Sequence, residues 1–200
     1  MNFAELRKAM DAAMTGGLIE AGLRRIKAGT WNRCSGEELN VIQFQKHSSG
    51  KSFCVNLGIH YAFLPTVGAE TPADREKIAI ADCELRFRLT DQAAVNDQWW
   101  PIAPSSVAPV AELVRDRGLP SFASYRLDGA IMTMEGAEVE NGNPGLLASM
   151  TKGRACLLLA RMHQHLGNRE KCVEAAEIGL KLVGPMAAGP RKAFKNILGL

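Results

Sequence analysis

Nine residues in this chain have side chains suited to binding or proton transfer, and they fall in two stretches. Gln43, Gln45, Asn56 and His60 lie within 39–63; Glu84, Arg86, Arg88, Trp99 and Trp100 lie within 84–100. The three amides can each donate and accept hydrogen bonds. Arg86 and Arg88, two positions apart, share one side of an extended strand and can hold a carboxylate or phosphate bidentately. His60 and Glu84 form the histidine–carboxylate pairing available for moving a proton on that surface. Trp99 and Trp100 offer a large apolar body with a polar N–H, the side chain that most often anchors an interface.

The elements that must position these residues are strands. Over 39–63 apolar and polar residues alternate in two arms around a Ser48-Ser49-Gly50 turn, which predicts a β-hairpin. If Ile42, Phe44, Phe53, Val55, Leu57 and Ile59 face the core, then Gln43, Gln45, Cys54, Asn56, Gly58 and His60 face the other way. Over 81–90, Cys83, Leu85, Phe87 and Leu89 alternate with Glu84, Arg86 and Arg88, adding a third polar row. An earlier strand over 30–34 places Trp31 in the core. These local connections predict a four-stranded antiparallel meander. Gly58, inside a strand, leaves room for a backbone or ligand to approach.

Two functions from different classes fit this surface. One is a non-enzymatic binding or protein-interaction module that uses the polar sheet face and a Trp99-Trp100 rim toward a protein partner or a small anionic ligand. The other is an enzyme on a small anionic substrate, with Arg86 and Arg88 clamping charge and His60 with Glu84 transferring protons. A plainer reading makes the same face a solvated sheet surface with Glu84 in a cross-strand pair. The C-terminal helices could also cover it, turning its amides into internal hydrogen-bonding groups. For Trp99-Trp100, an extended pair forces opposite orientations, predicting one at the core edge and one at the rim.

Helical periodicity governs both ends of the chain. Asn2 caps a helix over 3–20 in which Phe3, Leu6, Met10, Ala13 and Met14 recur, and Gly22 ends or kinks it. A short helix over 109–117 is expected to stop at Gly118 and Pro120. The stretch 121–140 reads as either strand or helix. A helix entered at Asn143-Pro144 should reach His165, Gly167 should break it, and a second should span 169–183, with a last short helix after Pro190. The chain thus divides into an α+β segment, 1–140, and a helical segment, 141–200, packed as part of the same domain. The expected fold is α+β: N-terminal helix, antiparallel sheet, and a C-terminal helical hairpin with short helices packed on the sheet.

Composition excludes several classes. At 200 residues the chain can bury roughly 70% of its unfolded surface, so no metal or disulfide is needed for stability. Only the loop over 67–75 and the Gly-rich turns invite disorder. A net charge of +3, with basic residues scattered among acids, argues against nucleic acid. Arg24, Arg25 and Lys27, and Arg191, Lys192 and Lys195, read as complements of helix C-termini. Five cysteines without CxxC spacing read as small buried hydrophobes. His163 and His165 point apart on a helix, while Cys156 and His163 share a face as core residues. No zinc-protease, nucleophile-elbow, dinucleotide or phosphate-loop motif occurs, so no cofactor is expected; 142–145 with 151–153 lacks the Gly-Lys-Ser/Thr order. No signal peptide or membrane-spanning run is present, and a reducing cytoplasm is the simplest location.

Several linked pieces resemble a known bacterial family. Gly22-Leu23-Arg24-Arg25 precedes Trp31-Asn32-Arg33; Val41-Ile42-Gln43-Phe44-Gln45-Lys46 and Phe53-Cys54-Val55-Asn56-Leu57-Gly58-Ile59 follow; Arg86-Phe87-Arg88-Leu89 leads to Trp99-Trp100. Over 2–125 this order is similar to domain of unknown function 4304, with Leu23 where the family usually has phenylalanine. The resemblance implies an α+β domain with an antiparallel sheet and supplies no catalytic residues. The helix pair over 155–183 also resembles a single tetratricopeptide unit, with Leu159, Ala160, Gly167 and Gly179 near its small and apolar positions. Cys156 and Arg169 depart from its aromatic residues. No second copy occurs at a period of about 34 residues, so an ordinary helical hairpin is the better reading.

Overall fold

The structure is a computed structural model, and it describes residues 1–66, 72, 74–92 and 97–200. The loop expected over 67–75 lies partly outside these residues. Two compact units emerge, 1–123 and 124–200.

The first unit opens with α1, Phe3–Glu20, set by its cap. Asn2 Oδ1 accepts from the Ala4 and Glu5 N–H groups at 2.9 and 3.0 Å, and Glu5 returns a carboxylate oxygen to the Asn2 N–H at 2.9 Å. This reciprocal box satisfies donors that the helix leaves without partners. Leu6, Met10, Met14 and Leu18 form the buried stripe. Gly22, at φ +77°, turns the chain out of the helix in a conformation that glycine adopts without steric cost.

The next element is a strand that periodicity did not announce. β1, Arg24–Lys27, pairs with β2, Thr30–Ser35. Its basic run is therefore a sheet edge rather than a helix C-terminal complement. Beneath it, the buried Asp11 carboxylate accepts from Trp31 Nε1 at 2.8 Å and the Gly29 N–H at 3.3 Å, and it lies 3.4 Å from the Arg25 guanidinium. One α1 side chain thereby ties the helix to the β1–β2 hairpin.

The sheet continues through β3, Glu38–Lys46, and β4, Ser52–Tyr61, to β5, Leu85–Arg88, in the order β1-β2-β3-β4-β5. A two-residue strand, β6, Trp100–Pro101, also pairs with β4. The meander is antiparallel as predicted, with six strands among the described residues instead of four. β5 is shorter than the 81–90 run because Ile80–Asp82 closes into a 3-10 turn. There Asp82 Oδ2 accepts the Ala79 N–H at 2.8 Å.

Beyond the sheet, α2, Val107–Leu113, does not stop at Gly118 and Pro120. It passes through a π-turn, Val114–Gly118, into α3, Leu119–Ser121. The Leu119 N–H donates to the Val114 carbonyl, one residue further back than in an α-helix. Widening the turn accommodates a proline that lacks an N–H and crowds the carbonyl four residues earlier.

The second unit is helical. The ambiguous stretch forms 3-10 turns at Phe122–Tyr125 and Ala130–Thr133 and then α4, Gly136–Glu140, with no strand among its described residues. Residue 140, expected as a boundary, lies inside this unit because Gly136 of α4 packs 3.1 Å from the Ala175 backbone, measured from an ideal Cβ position. The helix expected from Pro144 is broken: a 3-10 turn, Gly145–Leu147, precedes α5, Lys152–His165. α6, Arg169–Leu182, and α7, Ala188–Leu198, complete the unit. Arg191 donates to the Leu180 and Val183 carbonyls, consistent with the cation-at-C-terminus reading of that cluster.

Candidate functional site

The register settles which side chains share a face. Ile42 lies opposite Leu57 and Phe44 opposite Val55, all buried on the side of α1. On the other side Gln43 faces Asn56 and Gln45 faces Cys54, while Arg88 and Arg86 of β5 lie opposite Asn56 and Gly58. The expected parity holds along β3, β4 and β5, and the polar rows come together; Cys83, expected on the core side with Leu85, instead lies over Gly58. The face they form is divided in two by what covers it.

One half is closed. The segment 76–84 straps across β3 and β4, packing Ile78, Ile80 and Cys83 against Leu39 and Val41. The space expected above Gly58 is filled: a Cβ there would lie 2.6 Å from Ile80 Cδ1 and 2.7 Å from Cys83 Sγ. His60 sits at this closed end with 0% exposure. Its Nε2 faces the Leu64 carbonyl at 3.3 Å, so that nitrogen carries the proton, and buried Nδ1 has no partner. Burial pushes its pKa below the ordinary 6.5, against the pull of the Leu64 carbonyl and the Glu84 and Asp82 charges. Neither ring nitrogen bonds Glu84, so the proton-transfer pair is not assembled.

The other half is open and centred on Trp99. The Arg88 guanidinium stacks over the indole at 4.3 Å, and the His47 ring meets it edge-on at 4.6 Å. Asp97 bridges the pair, accepting from Trp99 Nε1 at 3.2 Å and ion-pairing with Arg88. Beside this stack Asn56 Nδ2 donates to Gln45 Oε1 at 2.7 Å, and Cys54 Sγ lies 3.8 Å from Asn56 Oδ1. Gln43 is half-buried and Gln45 exposed. Burial raises the Cys54 thiol pKa, with Arg88 opposing, which disfavours the thiolate. Cys34 is the exposed cysteine; the other four are buried.

Trp100 points to the opposite face, its ring 6.0 Å from that of Phe53. Both tryptophans are half-buried, so the pair divides between faces as an extended dipeptide requires, without either being fully enclosed. Arg86 is exposed and, among the described residues, has no side-chain partner. Arg88 is engaged by Asp97, so the two guanidiniums do not form a free clamp. Sequence reasoning missed His47 and Asp97, whose turn and loop positions carry no periodic signal.

No group of three or more metal-ligating side chains occurs among the described residues. No helix among them is long and apolar enough to cross a membrane. A groove of about 250 Å³ between α1 and α2 is lined by Ala13, Gly17, Leu18, Ala111 and Val114, and it contains none of the nine candidate residues.

A family model described as "Domain of unknown function (DUF4304)" matches residues 15–124, more than half of the chain. No curated protein and no solved structure matches it. The match contains α1 from Thr15 onward and every strand, and it ends one residue beyond the first compact unit. The chain belongs to this family of α+β domains, whose description assigns no activity.

Proposed function

We propose that this protein is a non-enzymatic binding module that presents the open half of its polar sheet face, anchored by Trp99, to a protein partner. The observation that carries the reading is the state of Trp99: half-exposed, yet held by Arg88, His47 and Asp97. A side chain already ordered loses little freedom on binding, and Trp and Arg dominate interface energetics. Gln43, Gln45 and Asn56 lie in the cross-strand rows beside Arg88 and add groups that can donate and accept at a polar rim. An enzyme would need an accessible proton-transfer group, whereas His60 is enclosed. A small anionic ligand has less support, since Asp97 already neutralises Arg88.

The test is selection of a random peptide library on the immobilised 200-residue chain, followed by affinity measurement against Trp99→Ala. Selected peptides should bind the variant at least about tenfold more weakly, as loss of an interface tryptophan demands. Circular dichroism confirms that the variant is folded. Equal affinity for both proteins ends the reading.

A further inference from the structure

Among the described residues β5 lies at an edge of the sheet, and one bond fixes the direction of its hydrogen-bonding groups. The Leu89 N–H donates to the Val55 carbonyl at 2.9 Å, so Val55 and Leu89 form a hydrogen-bonded antiparallel pair. Such pairs alternate along a ladder. Leu57 with Phe87 and Ile59 with Leu85 are therefore also bonded pairs, in the register Asn56–Arg88 and Gly58–Arg86. The β3–β4 hairpin agrees: the His47 N–H donates to Ser52, which commits the even-numbered residues of β4 to β3 and the odd-numbered ones to β5. The N–H and C=O groups of Arg86 and Arg88 must then point outward from the sheet. Among the described residues nothing pairs with those of Arg86.

We infer that this edge accepts an added strand: an extended segment of the partner that pairs with the outward backbone of Arg86 and Arg88 and sets one carboxylate against the Arg86 guanidinium. The inference rests on the interaction-module reading and names the chemistry of its partner. Charge selects the occupant. A second copy of β5 would bring arginines opposite arginines, which opposes self-pairing. An acidic strand meets the exposed Arg86 guanidinium instead, in a charge-assisted hydrogen bond. Strand addition draws its affinity from main-chain bonds and its selectivity from alternate side chains, which Arg86 and Arg88 supply on one face. A polynucleotide is disfavoured, because it cannot satisfy the strand edge and Arg88 already covers a face of Trp99.

The experiment uses the full chain and a fluorescein-labelled peptide of alternating Thr and Glu, read by anisotropy. Two twins carry N-methyl groups on either the Glu or the Thr nitrogens; a third replaces Glu by Lys. One methylated twin should lose binding while the other keeps it, because one edge of the peptide meets β5. Arg86→Ala should weaken the parent peptide at least about tenfold, and the Lys peptide should not bind. Absence of binding by the parent peptide, equal binding of both twins, indifference to Arg86→Ala, or competition by an oligothymidylate would each overturn the inference. If twins and Arg86→Ala bind normally while Trp99→Ala weakens library peptides, strand addition is wrong and the polar-face reading stands. Edge-specific methylation effects without sensitivity to Trp99→Ala identify the opposite failure.

Discussion

Asp11 shows how much one residue can hold. It lies on the buried stripe of α1 with 3% exposure, yet its carboxylate accepts two hydrogen bonds and pairs with Arg25. Replacing it by alanine orphans the Trp31 and Gly29 N–H groups at once. The expected cost is about 3 kcal/mol, measured as a shift in the urea midpoint. Asp11→Asn, which keeps an acceptor, should cost less. His60 makes the opposite kind of demand. Its folded-state pKa is lowered by burial, so below about pH 6.5 the unfolded chain binds a proton that the folded chain resists. Stability contributed by this group is complete above that pH and falls as pH drops through the window toward the lowered value. His60→Leu should flatten the fall in thermal midpoint measured across that window. A remaining slope is expected from His163, which burial and Lys171 depress in the same direction. Neither residue was legible as a core polar group: Asp11 sits at an apolar-stripe position, and His60 alternates onto the polar row as any surface histidine does.

Among the elements, the strap over 76–84 decides the character of the sheet. A polar row in sequence became two surfaces because Ile78, Ile80 and Cys83 fold back onto half of it. Gly58 is the contact that makes this possible. Gly58→Ala should destabilise the protein by about 1–3 kcal/mol in chemical denaturation, since its Cβ would overlap Ile80 and Cys83. Combining it with Ile80→Ala should recover part of the loss, a non-additivity that a double-mutant cycle reads directly. The helical unit contains a parallel case. A Cβ at Gly179 would overlap the tip of the Phe194 ring and lie 3.0 Å from Cys156 Cβ, so α6 approaches α7 and α5 closely at this glycine. Gly179→Ala should displace Phe194 and lower helical ellipticity on mild heating. Alternation named the strands β2 to β5, but β1 and β6 escaped it. β1 reads Arg-Arg-Ile-Lys, with a single apolar residue and so no alternation to see, and β6 is two residues long and pairs with β4 about 50 positions earlier.

For the whole molecule, the division into 1–123 and 124–200 has a simple spectroscopic consequence. Trp31, Trp99 and Trp100 are the three tryptophans of the chain, and all lie in the first unit. Tryptophan fluorescence therefore reports unfolding of that unit alone, whereas far-ultraviolet circular dichroism reports both. Phe194→Ala, which empties a fully buried site between helices of the second unit, should cost about 3–5 kcal/mol there. The expected outcome is an early loss of ellipticity in denaturant with little change in the fluorescence midpoint. A matching shift in both signals would mean that the two units unfold together. The family match, confined to 15–124, places the shared architecture in the fluorescent unit.

Local patterning was enough to determine the capped N-terminal helix, the long hairpin, the antiparallel connection of neighbouring strands and the face to which each side chain belongs. These depend on contacts between near neighbours: a cap three residues from its partner, a turn between two alternating arms, a pleat with period two. The closure of the face around Gly58 and His60, the capture of Arg88 by Asp97, the passage of a helix through Pro120 and, among the described residues, the edge position of Arg86 were decided only in three dimensions. Each is set by segments that meet across long stretches of chain or by a choice of backbone geometry that periodicity does not encode.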